Sequence, residues 1–437
     1  MANAMNKILI LEPSYSNFHC DLAHCLSSDV YSFVFNLGNL IYLKGSHKFI
    51  VDEKIKHHPY SSDDLYIAKN TKSLFTEKTR KHEKIEPSET DFIYMAKYIA
   101  FLRYFINEKK IDFVLMHNDL RWQHALAIQV CNELDIRYLI TERGLFRPHT
   151  TTIDFQGVNA YSSISKNIHF YEEVTVKNLP FKDYSIGRYK SFKVNLKFAL
   201  FLCFNYFGDL FKLNSHLANQ GYSLLSYAFL FLKQRKKLKA KLIPALPKKY
   251  IFIPLQVNTD TQILVHSQYE SIQAFIYHIE HTFYAEQSDL SLVFKQHPMD
   301  KGQKYKFDAR SIISNNSTTQ LIKDSEFIIT INSTVGFEAI QQYKQVIVLG
   351  EAFYKISKLC IASSIDSFRK DLKTCLNNQV EIDRQLIDKF IYYLKQEYQV
   401  NGNLFNYDAD MLAKVKLLIE KQSLKQLTSP QTPLAWF

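Results

Sequence analysis

The chain has 437 residues, of which 46% are hydrophobic and 14% aromatic, and this composition is typical of folded rather than disordered proteins. A net charge of +11 and an isoelectric point near 9.0 predict attraction to an anionic partner, which could be nucleic acid, a phospholipid surface or a charged small substrate. Six cysteines without a CxxC pair or zinc-type spacing predict free or buried thiols in a reducing compartment, with neither metal nor disulfide.

The first part of the chain alternates β-rich runs with helical patterns. Strands are predicted at residues 7–11, 31–36, 112–117 and 137–141, and helices at 92–106 and 120–134. The first apolar run resembles a β-strand more than a signal peptide, so we expect a cytoplasmic protein. The alternation predicts a parallel sheet with crossover helices, and we assign residues 1–175 to an N-terminal α/β domain.

A long aromatic and basic region follows at residues 176–247. Its strongest apolar stretch, FALFLCFNYF at 198–207, is too short to span a bilayer and predicts an amphipathic or buried helix. Pro244 and Pro247 suit the start of a new domain. We expect a helical linker or a membrane-facing insertion, and a plain solvated basic helix is the alternative.

A second α/β series follows the basic region. Its predicted strands cover residues 250–255, 290–295, 326–331 and 345–350, and a helix is predicted at 269–283. We assign 248–379 to a C-terminal nucleotide-sugar-binding domain, and 380–437 to helices that pack back across both domains. Two such domains facing each other across a cleft are typical of nucleotide-sugar transferases, and their ligands bind outside the carboxyl ends of the strands.

The first strand end with side chains that could bind or react is ITERGLFRPH, where Glu142 directly follows a strand. Gly144 permits a tight turn, and Arg143 and Arg147 lie close in sequence. A carboxylate in this position could act as a general acid or base. A structural salt bridge to a neighbouring arginine is an equal alternative.

The second strand end is IPLQVNTDTQI, where Gln256, Asn258, Asp260 and Gln262 follow the first strand of the second series. The cluster has no glycine, so its sequence does not favour a tight turn. Its side chains can bind sugar hydroxyls or supply a carboxylate nucleophile. The alternative is an Asn or Asp cap of the following helix.

The third strand end is FKQHPMD. Pro298 pushes His297 towards an extended conformation, so this histidine is presented at the strand end together with Lys295. Both side chains could bind an anion, and a buried or capping histidine is the plainer interpretation.

The fourth strand end is TINSTVGFEAI. Asn332, Ser333 and Thr334 can donate hydrogen bonds at a helix N-terminus, where the dipole favours phosphate, and Gly336 would let a ligand approach closely. Serine and threonine are also ordinary helix caps. Four such strand ends in one chain are much less expected by accident than any one alone.

These motifs, in this order and spacing, resemble the bacterial capsule polysaccharide biosynthesis family, in its branch of KpsS/LipB-type β-Kdo transferases. The resemblance rests on ERG at 142–144, PLQVNTD at 254–260, KQHP at 295–298 and NSTVGFE at 332–338, and covers most of residues 5–350. It implies a GT-B-like fold of two Rossmann-type α/β domains facing across a cleft, with C-terminal helices.

The resemblance also implies an activity. The enzyme would transfer Kdo from CMP-Kdo, with retention, to a lysophosphatidylglycerol-type lipid or a glycan acceptor in capsule biosynthesis. It would work at the cytoplasmic side of the inner membrane, without a metal or other cofactor. Other capsule biosynthesis enzymes are further expected partners, and nucleic acid is not.

Roles for individual residues follow from the same resemblance. Asp260 would be the nucleophile that carries the covalent adduct, and Glu142 the acid or base. This chain has Arg143 where many relatives carry an acidic residue. The resemblance implies nucleotide contacts from Lys295, His297, Asn332, Ser333, Thr334, Gly336 and Glu338. It implies sugar or acceptor contacts from Gln256, Asn258, Arg143, Arg147, Asp154, Asn159 and Arg121.

Three alternatives stay open. The enzyme could transfer another nucleotide-activated sugar in capsule or lipopolysaccharide assembly. A non-catalytic capsule-assembly scaffold would leave Glu142 and Asp260 unexplained. A nucleic-acid-binding protein is suggested by charge alone, because no recognition helix, zinc finger or RNA-binding aromatic motif is present.

Overall fold

The structure is a computed structural model that describes residues 7–13, 15–179, 192–217, 246–300, 303–377 and 380–426. Residues 180–191 and 218–245 of the predicted basic insertion, including Pro244 and most of the Lys and Arg run, lie outside this description. Two β-sheets organise the described residues, one of seven strands and one of six.

The N-terminal sheet has the strand order β13-β6-β5-β4-β1-β2-β3. Its strands are β1 Lys7–Leu11, β2 Asp29–Val34, β3 His47–Ile50, β4 Phe113–His117, β5 Arg137–Arg143, β6 Thr150–Asp154 and β13 Gln399–Asn401. Strands β1 to β5 pair in parallel, and β6 and β13 each pair antiparallel to their neighbour. The four predicted strands of this half are present, whereas β3, β6 and β13 were not predicted.

Eight α-helices precede the C-terminal sheet in the described part of the chain. They are α1 Phe18–Leu26, α2 Asp52–Lys56, α3 Ser62–Asn70, α4 Leu74–Glu77, α5 Glu89–Lys109, α6 Trp122–Glu133, α7 Ile168–Glu172 and α8 Phe192–Leu210. Short 3-10 helices cover Leu37–Tyr42 and Asn159–Tyr161, and a π-helical turn covers Lys78–His82. The predicted helices at 92–106 and 120–134 correspond to α5 and α6.

The C-terminal sheet is parallel throughout and has the order β12-β11-β10-β7-β8-β9. Its strands are β7 Tyr250–Pro254, β8 Ser291–Lys295, β9 Ile312–Ile313, β10 Phe327–Thr330, β11 Val346–Val348 and β12 Ile361–Ala362. Its helices are α9 Thr261–Leu264, α10 Ile272–Tyr284, α11 Thr318–Asp324, α12 Thr334–Ile340 and α13 Phe368–Leu376.

The last elements return to both halves. They are α14 Arg384–Tyr392, a π-helical turn at Tyr393–Tyr398, strand β13 and α15 Ala409–Gln426. Phe390 of α14 packs in the core of the C-terminal half, whereas Met411 and Val415 of α15 pack with α1 under the N-terminal sheet. The C-terminal segment therefore ties the two halves together.

Alternate residues of the central strands enter different cores. In β1, Leu9 and Leu11 pack on one face of the sheet, while Ile8 and Ile10 pack on the other. Both faces are covered, which explains why these strands read as unbroken apolar runs in the sequence. In each sheet the first strand lies inside the order, so a crevice forms where the order reverses, at β1/β4 and at β7/β10. The predicted class, two Rossmann-type α/β units of the GT-B-like kind, is confirmed.

Candidate active site

The carboxyl ends of β1, β4 and β5 lie at one edge of the N-terminal sheet because these strands are parallel neighbours. Glu12 follows β1, Asn118 follows β4, and Glu142 is the penultimate residue of β5. Residues separated by more than a hundred positions in the sequence therefore lie around one crevice.

Glu142 is half-buried and held on both carboxylate oxygens. Asn118 Nδ2 donates to its Oε2 at 2.8 Å, and the backbone N–H of Arg143 donates to its Oε1 at 2.8 Å. Asn118 has a φ of 65°, a left-handed conformation that asparagine adopts more readily than most residues. Its Oδ1 accepts from the Leu120 N–H, so the side chain is fixed at both ends. The alternative role for Glu142 was a salt bridge to a neighbouring arginine. In the structure its two carboxylate oxygens accept hydrogen bonds from these neutral donors.

A buried ion pair lies beside Glu142. Arg121 Nη1 lies 2.9 Å from Glu12 Oε2, and the two side chains are 13% and 3% exposed. Asn36 Nδ2 donates to Glu12 Oε1 at 3.1 Å, and Gln123 Nε2 donates to the other oxygen. Burial opposes ionisation of Glu12, but Arg121, His124 and the hydrogen bond from Asn36 together outweigh it, so the pKa of Glu12 lies below its usual range. Arg121, predicted as an acceptor contact, is therefore engaged with the protein itself.

Three histidines surround the same edge. His19 Nε2 and His117 Nδ1 both hydrogen-bond to Thr141 Oγ1, at 2.9 and 3.0 Å. Burial and neighbouring cations lower the pKa of His19 to about 3 and that of His124 to about 4, and they lower the pKa of His117 well below its usual value. All three rings are neutral at pH 7, so they act as hydrogen-bonding groups rather than as cations.

Asp119 is the carboxylate at this edge that titrates near neutral pH. Burial raises its pKa to about 7, although the Val158 N–H donates to its Oδ2 at 2.7 Å. The negative charge of Glu142 also raises the pKa of Asp119. The Glu142 carboxylate is thus close enough to favour the protonated form of Asp119.

The other predicted acceptor-side residues have separate environments. Asp154 is buried and accepts from Tyr398 Oη, from Ser163 and from the Gln156 N–H, so its oxygens stabilise the protein. Asn159 has a φ of 56° and belongs to a 3-10 turn. Arg143 and Arg147 are exposed, and both line a small cavity of about 160 Å³.

A larger cavity of about 430 Å³ opens on the other side of Arg121. Leu74, Ile85 and Trp122 provide apolar walls, while Lys78 and His216 bring basic groups. Apolar walls with a few polar groups are typical of small-molecule sites. This cavity was not predicted, because its lining comes from four separate parts of the chain.

In the C-terminal sheet, Gln256 and Asn332 follow the neighbouring strands β7 and β10. Gln256 Nε2 donates to Asn332 Oδ1 at 3.0 Å, and Asn332 Nδ2 donates to the carbonyls of Gln262 and Glu351 at 2.7 and 3.1 Å. Both side chains are buried. They hold the loops of this edge in place, and their amide groups are already occupied by the protein.

Asp260 and Asn258 both cap helices. Asp260 Oδ1 accepts from the Gln262 N–H at 3.0 Å at the start of α9, and Asn258 Oδ1 accepts from the Ile272 N–H at 2.9 Å at the start of α10. The capping role considered from the sequence is therefore present. For Asp260 it engages Oδ1 and fixes the direction of the carboxylate.

Lys295 and His297 lie at the end of β8. Lys295 Nζ donates to the Asn316 carbonyl at 2.5 Å, which uses one of its three N–H groups. His297 is exposed, and its Nδ1 accepts from the Met299 N–H at 3.1 Å. In the neutral ring the proton is therefore on Nε2, and the ring presents a donor.

The NSTVG segment supplies two hydroxyl groups at the start of α12. Ser333 is the N-cap, and its Oγ accepts from the Val335 N–H at 3.2 Å, whereas Thr334 is exposed. A glycine is required at position 336 for a different reason from the one predicted. A Cβ at this position would lie 2.5 Å from Tyr354 Oη, so the glycine makes room for a buried tyrosine rather than for a ligand.

The two edges meet through the loop after β5 and helix α12. The rings of Phe146 and Phe337 lie 5.7 Å apart at 70°, and the Arg147 charge acts on Glu338. Burial raises the pKa of Glu338, and Arg147 partly offsets this. The ERG and NSTVGFE motifs, almost 200 residues apart in the sequence, therefore lie close together in the fold.

Residues 112–405 match the family described as "Capsule polysaccharide biosynthesis protein". The chain belongs to this family. The matched residues include β4, β5, the whole C-terminal sheet and β13, and therefore both edges of the crevice. The resemblance recognised in the sequence motifs is confirmed.

Two relatives illustrate the similarity within the family. The chain is 25% identical over 334 residues to the capsule polysaccharide modification protein LipB of Neisseria meningitidis serogroup A, covering 70% of this chain and 78% of LipB. It is 26% identical over 332 residues to the capsule polysaccharide export protein KpsS of Escherichia coli, covering 69% of this chain and 82% of KpsS.

Among solved structures, the chain is similar to a β-Kdo 2,7 transferase, KpsC of Thermosulfurimonas dismutans. The sequence identity is 15%, the TM-score is 0.39, and the match covers 82% of this chain and 98% of that one. Within the described residues, no three His, Cys, Asp or Glu side chains are grouped to hold a metal ion. None of the helices in the described ranges is long and apolar enough to cross a membrane.

Twelve of the sixteen predicted residues fall into two groups. Glu142, Asp260, Lys295, His297, Ser333, Thr334 and Glu338 lie at strand ends or helix starts beside the crevices with polar atoms that can face a ligand. Arg121, Asp154, Gln256, Asn258 and Asn332 are engaged in bonds that support the fold. Sequence reasoning missed Glu12, His19, Asn118, Asp119 and His124, although the last three lie in one polar segment, HNDLRWQH at residues 117–124.

Proposed function

We propose that the chain is a glycosyltransferase of capsule polysaccharide biosynthesis that transfers Kdo from CMP-Kdo to a phospholipid or glycolipid acceptor at the cytoplasmic face of the inner membrane. The observation that carries the proposal is the contact between the loop after β5 and α12, which brings the ERG motif, with Glu142 held by Asn118, next to the NSTVGFE motif. Membership of the family gives the biological setting.

Transfer with retention needs two displacements, and Asp260 suits the first. Its Oδ1 is held by the α9 backbone, so Oδ2 can attack the anomeric carbon while the carboxylate keeps its direction. The bond from the anomeric carbon to the phosphate oxygen breaks, and CMP leaves with the electron pair. Kdo is then joined to Asp260 as an ester.

Basic and hydroxyl groups would stabilise the leaving CMP. Lys295 is half-buried and keeps free N–H groups beyond the one that binds Asn316, and the His297 ring presents Nε2–H. Ser333 and Thr334 add hydroxyl groups at α12. Donors aimed at a departing phosphate lower the barrier because negative charge develops there in the transition state.

Glu142 suits the second displacement. Hydrogen bonds from Asn118 and the Arg143 N–H hold its carboxylate in a fixed direction, from which it can accept the proton of an acceptor hydroxyl. That oxygen attacks the anomeric carbon, and Asp260 is released as a carboxylate. The configuration is inverted twice and is therefore retained.

The test uses purified protein, CMP-Kdo and lysophosphatidylglycerol, with a Kdo-lipid product detected by mass spectrometry. We expect product from the wild type, none from Asp260→Asn, and unchanged stabilisation of both by CMP in a thermal shift assay. Stabilisation by UDP but not by CMP would favour a different sugar nucleotide. Absence of binding to either nucleotide would favour a scaffold.

A further inference from the structure

Helix α8 carries apolar side chains on two faces. On the inner face, the Phe201 and Phe198 rings pack against Tyr15, with ring centres 5.0 and 6.0 Å away. The helix also contacts the 3-10 helix Leu37–Tyr42 at backbone distance, because a Cβ on Gly38 would lie 2.5 Å from the Phe201 carbonyl. The helix is thus seated firmly on the N-terminal half.

The outer face is apolar but exposed. Leu196, Leu200, Phe204, Phe207 and Phe211 are 47%, 41%, 39%, 50% and 66% exposed. Their spacing of three or four residues places them on one side of a helix. We call these five side chains the α8 stripe. A contiguous exposed apolar surface of this kind marks an interaction site more often than isolated apolar residues do.

The positive charge of the protein is concentrated in the part of the sequence that contains α8. Residues 188–249 contain 13 of the 54 Lys and Arg residues of the chain. They contain one of its 43 acidic residues, Asp209. The stretch has an excess of 12 positive charges and the remaining sequence has a net charge of −1, so the whole-chain excess of +11 comes from this stretch. Residues 188–191 and 218–245, which lie outside the described structure, enter this argument only through their composition.

We propose that the α8 stripe is a docking surface for a bilayer of anionic phospholipid, with α8 lying in the plane of the interface. An apolar helix face accompanied by many Lys and Arg residues is the pattern that binds such surfaces, because apolar burial and attraction to anionic headgroups add. A helix of 19 residues whose inner face is already packed on the protein lies on the bilayer rather than across it.

A second copy of the chain is the less suitable occupant of the stripe. Two copies meeting there would bring together two stretches with an excess of 12 positive charges each, 13 basic against one acidic, and like charges oppose association. The same charges favour an anionic bilayer.

Docking through α8 would also orient the crevice. The inner face of α8 contacts Tyr15, whose ring centre lies 6.0 Å from the Arg121 guanidinium carbon. A helix with its side chains is about 10 Å across, so the bilayer surface would lie roughly one helix diameter from Tyr15. The inference concerns membrane binding alone and holds whether or not the donor is CMP-Kdo.

The test is cosedimentation of the full chain with vesicles of phosphatidylcholine alone or mixed with phosphatidylglycerol. The combined variant Leu200→Gln, Phe204→Gln, Phe207→Gln should reduce partitioning onto the mixed vesicles by about tenfold or more. The matched control is Tyr66→Gln, Tyr277→Gln, Leu417→Gln, three residues that are 62%, 66% and 49% exposed on other helices. The control should bind like the wild type, and all three proteins should melt at similar temperatures.

A second measurement needs no variant. Mixed vesicles should slow amide hydrogen exchange in peptides covering Phe192–Leu210 of the wild type, and added salt should reverse this. Equal vesicle binding by the wild type and the stripe variant would overturn the proposal. So would absence of wild-type binding, or a stripe-dependent dimer that does not bind vesicles. Vesicle binding without Kdo transfer would leave the docking surface standing and refute only the sugar chemistry.

Discussion

Removing the Arg121 guanidinium should destabilise the N-terminal half, because the residue neutralises a buried carboxylate. Glu12 is 3% exposed, and breaking a buried ion pair by removing one partner costs about 3–5 kcal/mol. Asn36 and Gln123 still donate to Glu12 in the variant Arg121→Met. We therefore expect a loss of about 3 kcal/mol, at the lower end of that range.

The chain provides a local reporter for this measurement. Trp122 is buried next to Arg121, and the second tryptophan, Trp436, can be replaced by phenylalanine. Urea unfolding followed by Trp122 fluorescence then gives the free energy of unfolding of this half. In the double variant Glu12→Gln, Arg121→Met the loss should be well below the sum of the two single losses, because neither charge is left alone.

Arg143→Met is the matched control, since Arg143 is an exposed cation at the same sheet edge. It should change the free energy of unfolding by less than about 0.5 kcal/mol. The reasoning is refuted if Arg121→Met unfolds like the wild type but loses transfer to the acceptor. Arg121 would then bind the acceptor, as the sequence predicted, and the ion pair would be incidental.

Other consequences concern Asp119, Gly336 and Asn332. Because the pKa of Asp119 is raised from 3.8 to about 7, the folded state binds one more proton than the unfolded state between these values, and stability should fall as pH rises from 4 to 7. Asp119→Asn should remove about 4 kcal/mol of this fall, measured as the pH dependence of urea unfolding. Gly336→Ala should cost about 1–3 kcal/mol through the clash with Tyr354, and less in a Tyr354→Phe background; equal costs in both backgrounds would exclude that clash. Asn332→Ala should cost about 2–3 kcal/mol, because the carbonyls that it binds lose their donor, and an unchanged melting temperature would contradict its supporting role.

The sequence predicted the strand ends well because both periodicity and polarity change there. The runs KILIL and YIFIP are buried on both faces, and the first polar residues after β5, β7, β8 and β10 lie at the carboxyl edges of the sheets. Strands β6 and β13 could not be predicted, because β13 pairs with a strand some 250 residues earlier and has only three residues.

Side-chain roles were harder to predict than positions. Whether Arg121 faces a ligand or a buried carboxylate depends on Glu12, which is 109 residues away in the sequence and adjacent only through the β1–β4 pairing. The same limit applies to Gly336, whose neighbour Tyr354 comes from the segment after β11. The local sequence indicates which side chains lie at strand ends, while the pairing of the strands decides which partners these side chains contact.

The most direct test of the proposed chemistry is a search for the covalent intermediate on Asp260. The variant Glu142→Ala, which should slow the second displacement, is incubated with CMP-Kdo and examined by intact-protein and peptide mass spectrometry. We predict a mass gain of one Kdo residue, located on the peptide that contains Asp260 and absent from Asp260→Asn. Transfer to the acceptor with inversion at the anomeric carbon, or an adduct on another residue, would contradict the mechanism.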